Sequence, residues 1–428
     1  MSKIKVLWFT NTPSLYGQDA HAYHGGGWIE SLEQLISTRQ DIQLAIAFFH
    51  QHDDQKIKTE AVTYYPIRRR AVSRWSPARL IGNWTARLND LEDYTMEVQQ
   101  IIEDFGPDVI QVFGSEGAFG ELSTLTSTPV VIHLQGLINP YLNTYFPAGY
   151  SGIDFLISDS FLAKNLKGSS PLHERWLFVK KAARERSALQ NARYVMGRTH
   201  WDEMMSRLYN PDVTYFHVDE VLRSQFYTSE TAPILEKKVL NVVSTLSPTV
   251  YKGIDVLLKT AKQVQQLTSI EIQWKVAGID ASDRLLRHFE KKEGIRHQAV
   301  GIECIGRQSP DELAQLMLNA DVFVHPSYID NSPNSVCEAQ IIGLPTVACD
   351  VGGLSTLISH QETGLLVPSN GVFELVYYLE RLLQDTALRS RLGTSAREVA
   401  RQRHDKDVIA DNLTVAYRDI LRLESCSD

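Results

Sequence analysis

Long apolar runs are what this sequence most plainly lacks. No window of its 428 residues approaches the roughly 18 uninterrupted apolar residues that a membrane-crossing helix needs. The first apolar stretch, Val6-Leu7-Trp8-Phe9, is far shorter than a signal-peptide core and has no small-residue cleavage site after it, so secretion is not expected. Cysteine is scarce. Cys304, Cys337, Cys349 and Cys426 form no C-x-x-C pair and no metal-ligand spacing with histidine, which argues against a zinc site or a disulfide framework and fits the reducing cytosol. Positive charge is not in excess either: 43 Lys plus Arg against 51 Asp plus Glu leave a net charge of −8, which speaks against sequence-independent nucleic-acid binding. Any anionic partner must be met by a local basic patch.

What is present is a soluble globular composition, 43% hydrophobic and 22% charged, in a chain too long for one ordinary core. Apolar strands are expected at 4–10, 42–49, 109–113, 130–134, 155–157 and 194–197, with helical patterns between several of them, one running over 88–105. The polar stretch Thr228-Ser229-Glu230-Thr231-Ala232-Pro233 is the best linker candidate. After it the alternation restarts, with strands at 239–244, 272–277, 302–305 and 322–324 and helices at 253–267, 282–292 and 310–318. Two parallel α/β domains follow, over residues 1–228 and 229–400, with a strand-free amphipathic tail at 401–428 that crosses back toward the first.

The chemistry concentrates between Asp321 and Gly353. A strand runs into the loop His325-Pro326-Ser327-Tyr328-Ile329-Asp330-Asn331-Ser332-Pro333-Asn334, and Ser335-Val336-Cys337-Glu338 then fits a capping box, with Ser335 as N-cap. Asp330 and Glu338 can both face the crevice at the carboxyl ends of the strands, where open α/β sheets bind ligands. The simpler readings are a capping Glu338 and a solvated Asp330. Lys252-Gly253 places a cation at another strand-loop-helix mouth, although a surface lysine before a helix is a common feature. Gly25-Gly26-Gly27 allows close backbone approach to an anion, or makes a plain tight turn. Arg193 to Asp202 reads as a strand ending at a helix capped by Thr199 and Asp202, with Arg198 at the strand's carboxyl end as a secondary anion contact.

These residues resemble the donor site of the family-four glycosyltransferases: an E-x7-E-like pair at Asp330 and Glu338, then Gly343-Leu344-Pro345. The likeness extends through Lys252-Gly253, Gly306-Arg307, Pro310 to Leu313 and Thr363 to Val367, and is patchier in the first half. The resemblance implies the GT-B fold, two Rossmann-like domains facing a central cleft, and retaining transfer of a hexose or hexosamine from a nucleotide diphosphate sugar to a glycan or lipid-linked acceptor. The nearest likeness is to enzymes of bacterial surface-polysaccharide assembly.

Carried over by residue, the resemblance makes Glu338 the partner of the ribose hydroxyls and Asp330 that of the donor sugar's hydroxyls. Asp330 replaces the family's usual Glu and is one methylene shorter. Lys252 becomes the cation on the diphosphate. The amides of Asn331, Ser332, Pro333, Asn334 and Ser335 would line sugar and diphosphate, proline contributing no N–H. Gly26 and Gly27 match the loop over the diphosphate. Gln135, where the family has His, is expected at the donor sugar, and His133 reads as a strand histidine. The family's companion arginine is absent near Thr245, leaving Arg307 or Arg198 to substitute, or the amides to carry more.

No Asp-x-Asp motif of the kind that holds a divalent ion on a sugar diphosphate is recognised, and no metal or cofactor is expected. The basic, aromatic run Arg68-Arg69-Arg70, Arg74, Trp75, Arg79, Trp84 and Arg87 is either a solvated loop or a peripheral contact with anionic lipid, which would put the protein in the cytoplasm at the inner face of the plasma membrane. A sugar-nucleotide epimerase on the same scaffold and a non-catalytic sugar-binding protein are the alternative readings.

Overall fold

The computed structural model describes residues 3–16, 27–51, 56–69, 91–228 and 238–426. They fold into two α/β units, the first made of residues 1–142, 176–221 and 404–428, the second of 143–175 and 222–403. The division differs from a single break at 228: the excursion 143–175 goes with the second unit, and most of the stretch expected as linker lies outside the described residues.

In the first unit, β1 (Ile4–Thr10), β2 (Ile42–His50), β3 (Ile57–Lys58), β4 (Val62–Arg68), β5 (Val109–Phe113), β6 (Val130–His133), β7 (Tyr194–Gly197) and β8 (Thr214–His217) form one sheet in the order β3-β4-β2-β1-β5-β6-β7-β8. Only the β3–β4 pairing is antiparallel. β1 and β5 to β7 are buried almost throughout, which is why they read as unbroken apolar runs rather than alternating ones. β4 escaped the sequence reading because Pro66 interrupts its pattern. Residues 155–157, expected as a strand, instead end a short helix, Gly152–Leu156, opened by a Ser151/Asp154 capping box. Phe155 there is fully buried while Leu156 and Ile157 are exposed, and such a short apolar run gives no periodicity that separates helix from strand.

The helix Lys406–Ser425 buries Ile409, Leu413, Ala416, Tyr417 and Ile420 against Val6, Trp8 and Val109 of the first sheet. Its amino terminus explains the one Asp-x-Asp spacing in the chain's tail: Asp405 is the N-cap and accepts from the amides of Asp407 and Val408. A buried relay ties it to three strands. Trp8 Nε1 can only donate, and does so to the Tyr417 hydroxyl at 3.0 Å. That hydroxyl spends its proton on Gln111 Oε1, and Gln111 Nε2 then donates to His133 Nδ1 at 3.0 Å. His133 is thus a neutral strand histidine, its pKa pushed down to about 3 chiefly by burial, with the Arg198 charge adding to the effect.

In the second unit, β9 (Val239–Thr245), β10 (Glu271–Ala277), β11 (Ile302–Gly306), β12 (Val322–His325), β13 (Thr346–Cys349) and β14 (Leu365–Val367) make an all-parallel sheet in the order β11-β10-β9-β12-β13-β14. The chain builds outward from β9 to β11 and then returns to lay β12 on the other side of β9. That reversal opens a crevice beyond the carboxyl ends of β9 and β12.

Tyr417→Phe should leave the Trp8 N–H and the Gln111 carbonyl oxygen buried without their partner, at a cost of about 1–3 kcal/mol. Urea unfolding of the intact chain measures it. A loss below about 0.5 kcal/mol would show that the relay adds nothing to the apolar contacts of that helix.

Candidate active site

At the reversal point of the second sheet, the loop after β9 meets the loop after β12. Lys252 ends a single 3-10 turn, Val250–Lys252, and Gly253 follows with φ 78° as N-cap of the helix Ile254–Leu267. A Cβ on Gly253 would stand 2.2 Å from the Pro326 carbonyl oxygen, so only glycine lets the two loops approach this closely. Gly352 plays the same part from the loop after β13. Its φ is 56°, a Cβ there would lie 1.9 Å from the Asp330 carbonyl oxygen, and the neighbouring Gly353 amide donates to that oxygen at 3.1 Å. Tyr328 fixes the middle of the loop: its amide donates to the Tyr251 carbonyl at 2.9 Å and its hydroxyl to buried Asp255 at 2.7 Å.

Held this way, Asp330 is buried, with Lys252 Nζ 2.5 Å from Oδ2 and His325 Nε2 at 3.0 Å from the same oxygen. Burial opposes ionisation of this carboxyl, but the Lys252 ammonium and then His325 overcome it and hold the pKa well below the usual carboxylate range. His325 is the last residue of β12, and nothing in the sequence beyond its place at a strand end marked it.

The helix after this loop is Asn334–Ile341, with Pro333 as N-cap and no side-chain cap. The capping-box reading of Ser335 and Glu338 is therefore corrected: the helix starts one residue before Ser335, and Glu338 sits at its fifth position, too deep to cap it. The proline at the N-cap already sets the entry. Glu338 instead receives a two-pronged bond from Arg223, Nε to Oε1 and Nη2 to Oε2, both 2.7 Å. Asn331 and Ser332 are buried on the loop, and the amides of Asn334 and Ser335 belong to the first turn, where a helix offers no internal acceptor. The second unit thus pairs Lys252 with Asp330 on the loop that carries the 331–335 backbone, and places Glu338 on the helix that follows that loop.

Arg307 is not part of that group. It is exposed at the end of β11, the sheet edge, with β10 between it and β9. In the first unit, Arg198 is 2% exposed, donates to the Gln135 carbonyl at 2.8 Å, lies 3.7 Å from Glu220 and stacks over Trp28 at 5.2 Å. The Thr199/Asp202 capping box sits beside it. Gln135 accepts from Asn11 at 3.0 Å, while its own Nε2 is buried with no hydrogen-bond partner among the described residues. Gly27 opens the helix Gly27–Ile36 and is buried; Gly26 lies outside the described residues. So do the residues from Arg70 to Arg87 of the basic run, leaving Arg68 and Arg69 at the exposed end of β4.

The depressed Asp330 pKa has a definite pH signature. As pH falls, the unfolded chain takes up the proton first, near 3.9, so the ion pair's contribution is complete above about pH 5 and is lost progressively below about pH 4. Asp330→Asn strands the Lys252 ammonium and should cost about 3 kcal/mol at neutral pH, a gap that closes in acid. Denaturant titrations of both proteins between neutral pH and about pH 3 test this; a pH-independent gap excludes the ion pair as its source.

Residues 226–399 match the family described as Glycosyl transferases group 1. A D-inositol 3-phosphate glycosyltransferase of Corynebacterium glutamicum is 30% identical over 196 residues, 45% of this chain and 46% of the relative, so the match spans under half the length of that relative. Among solved structures, the sucrose-phosphate synthase of Thermosynechococcus elongatus superposes with a TM-score of 0.72 over 98% of this chain and 100% of that one, at 16% identity. HepE of Anabaena, solved in complex with UDP and glucose, gives a TM-score of 0.61 over 96% of this chain and 98% of that one, also at 16% identity. The superpositions establish the GT-B fold, and residues 226–399 are similar to the group 1 glycosyl transferases.

Proposed function

We propose that this protein is a retaining glycosyltransferase that moves a hexose or hexosamine from a nucleoside diphosphate sugar to a hydroxyl of a glycan or lipid-linked acceptor, in cell-surface polysaccharide assembly. The observation that carries the reading is the pairing of Lys252 with Asp330 at the sheet's reversal point, beside a helix amino terminus and Glu338. HepE, whose fold this chain shares, was solved with UDP and glucose, which supports a nucleotide-sugar donor.

In this reading the ion pair is the resting state. The ammonium exchanges Asp330 for the incoming diphosphate, and Asp330, released, accepts from a hydroxyl of the donor sugar. Glu338 accepts from the ribose. As the bond between the anomeric carbon and the phosphate oxygen breaks, that electron pair goes to the diphosphate, where Lys252 and the amides of the 334–341 helix stabilise it. The acceptor oxygen adds to the same face of the oxocarbenium-like carbon, and its proton passes to the departing phosphate. No enzyme nucleophile is needed, and charge neutralisation falls to Lys252 and the amides rather than to a divalent ion. Among the described residues no helix is long and apolar enough to cross a membrane, and we propose that lipid-linked acceptors are met at the inner face of the plasma membrane.

A thermal-shift screen of UDP-, GDP- and ADP-sugars should single out one donor that raises the midpoint above its free nucleotide. With that donor, Lys252→Met should lower transfer about 10²- to 10³-fold, the scale of losing one transition-state donor, and excess EDTA should leave the wild-type rate unchanged. A full rate in the variant removes Lys252 from the mechanism. Conversion of the sugar with no acceptor present, followed by NMR, would instead establish an epimerase.

A further inference from the structure

Arg223 lies three residues ahead of the family match and was marked by no motif, yet its guanidinium is committed to the most buried carboxylate of the candidate site. Both prongs are 2.7 Å long, the Arg223 side chain is 13% exposed and that of Glu338 is 2% exposed. Phe226 supports the guanidinium from one side, 5.0 Å from ring centroid to the guanidinium carbon. The fork is planar and rigid, so it fixes the orientation of the carboxylate as well as its charge, which an ammonium acting as a point charge cannot do.

We infer that Arg223 is a positioning residue that sets the plane of the Glu338 carboxylate for the ribose hydroxyls of a nucleoside diphosphate, and thereby gives the site its preference for ribose over deoxyribose. The inference rests on the functional reading above. Adjacent hydroxyls of a furanose ring present two donors in a fixed relation, and a carboxylate free to rotate would meet one well and the other poorly. A hydrogen bond to a charged group is strong enough that its loss costs about tenfold in affinity. Discrimination should therefore depend on the fork and not merely on a nearby positive charge.

The test is calorimetric titration of UDP, GDP and ADP, each beside its 2′-deoxy counterpart, into the full-length wild type and Arg223→Lys. The wild type should prefer the ribonucleotide of its cognate base by about tenfold, and Arg223→Lys should bring that ratio close to one by weakening the ribonucleotide alone. Circular dichroism and the unliganded melting midpoint establish that the variant is folded. Phe226→Leu, which removes the ring under the guanidinium and leaves both charges, should lower the ratio to about threefold, and it serves if the lysine variant does not fold. The inference is overturned if the ratio is unchanged in the folded variants, if both nucleotides weaken in parallel, or if Arg223→Lys binds more tightly, as a blocking latch would. A wild type that binds ribo- and deoxynucleotides equally overturns it while leaving the glycosyltransferase reading standing. A wild type that binds none of the six defeats both.

Discussion

A carboxylate buried at the end of a parallel strand is costly unless a cation meets it, and the second unit is organised around meeting that requirement at Asp330. The cation comes from the loop after β9, the strand directly beside β12, because the order β10-β9-β12 puts those two loop ends at the same crevice. The approach that brings them together leaves no room for side chains, which accounts for glycine at 253 and 352 and for the way their backbones rest against Pro326 and Asp330. The His325 ring completes the surroundings from the strand itself. Weakening the ion pair would therefore loosen the whole loop.

Charge is handled in the same manner elsewhere in the molecule, with a different outcome. Glu338 is matched by a fork and Arg198 by a carboxylate, a carbonyl and an aromatic face. His133 escapes the problem by staying neutral, since the Trp8-Tyr417-Gln111 relay leaves its Nδ1 as an acceptor. Because Lys252, Asp330, Glu338 and Arg198 already hold partners, an arriving ligand must exchange contacts with them rather than fill an empty space. The proposed exchange of Asp330 for a diphosphate at Lys252 is of that kind: it trades one charge-assisted contact for another.

Much of the fold was legible because buried parallel strands are apolar from end to end. Val109–Phe113, Val130–His133 and Val322–His325 announce themselves, and so does the Thr199/Asp202 cap. The misreadings have local causes. Residues 155–157 are too few to show a period, Pro66 disguises β4, and Ser335-x-x-Glu338 has the spacing of a capping box while Pro333 had already begun the helix. Lys252, Asp330 and Glu338 could be picked out because together they resemble a donor-site signature: a lysine before Gly253, and two carboxylates eight positions apart ahead of Gly343-Leu344-Pro345. Arg223 and His325 could not, because each owes its place to a partner that is distant in sequence or to the closeness of a loop.

The sequence by itself determined the two alternating α/β series, the strands that bury their whole length, the glycines at the loop junctions and the acidic balance that leaves anion binding to a few local groups. These follow from periodicity and backbone geometry, which act over a few residues. Tertiary structure alone decided that residues 143–175 join the second unit, that Lys252 stands 2.5 Å from Asp330 across 78 positions, and that Arg223 grips Glu338 across 115. Such pairings depend on which strands lie side by side and on which charges burial forces together, and neither is encoded in any short stretch of chain.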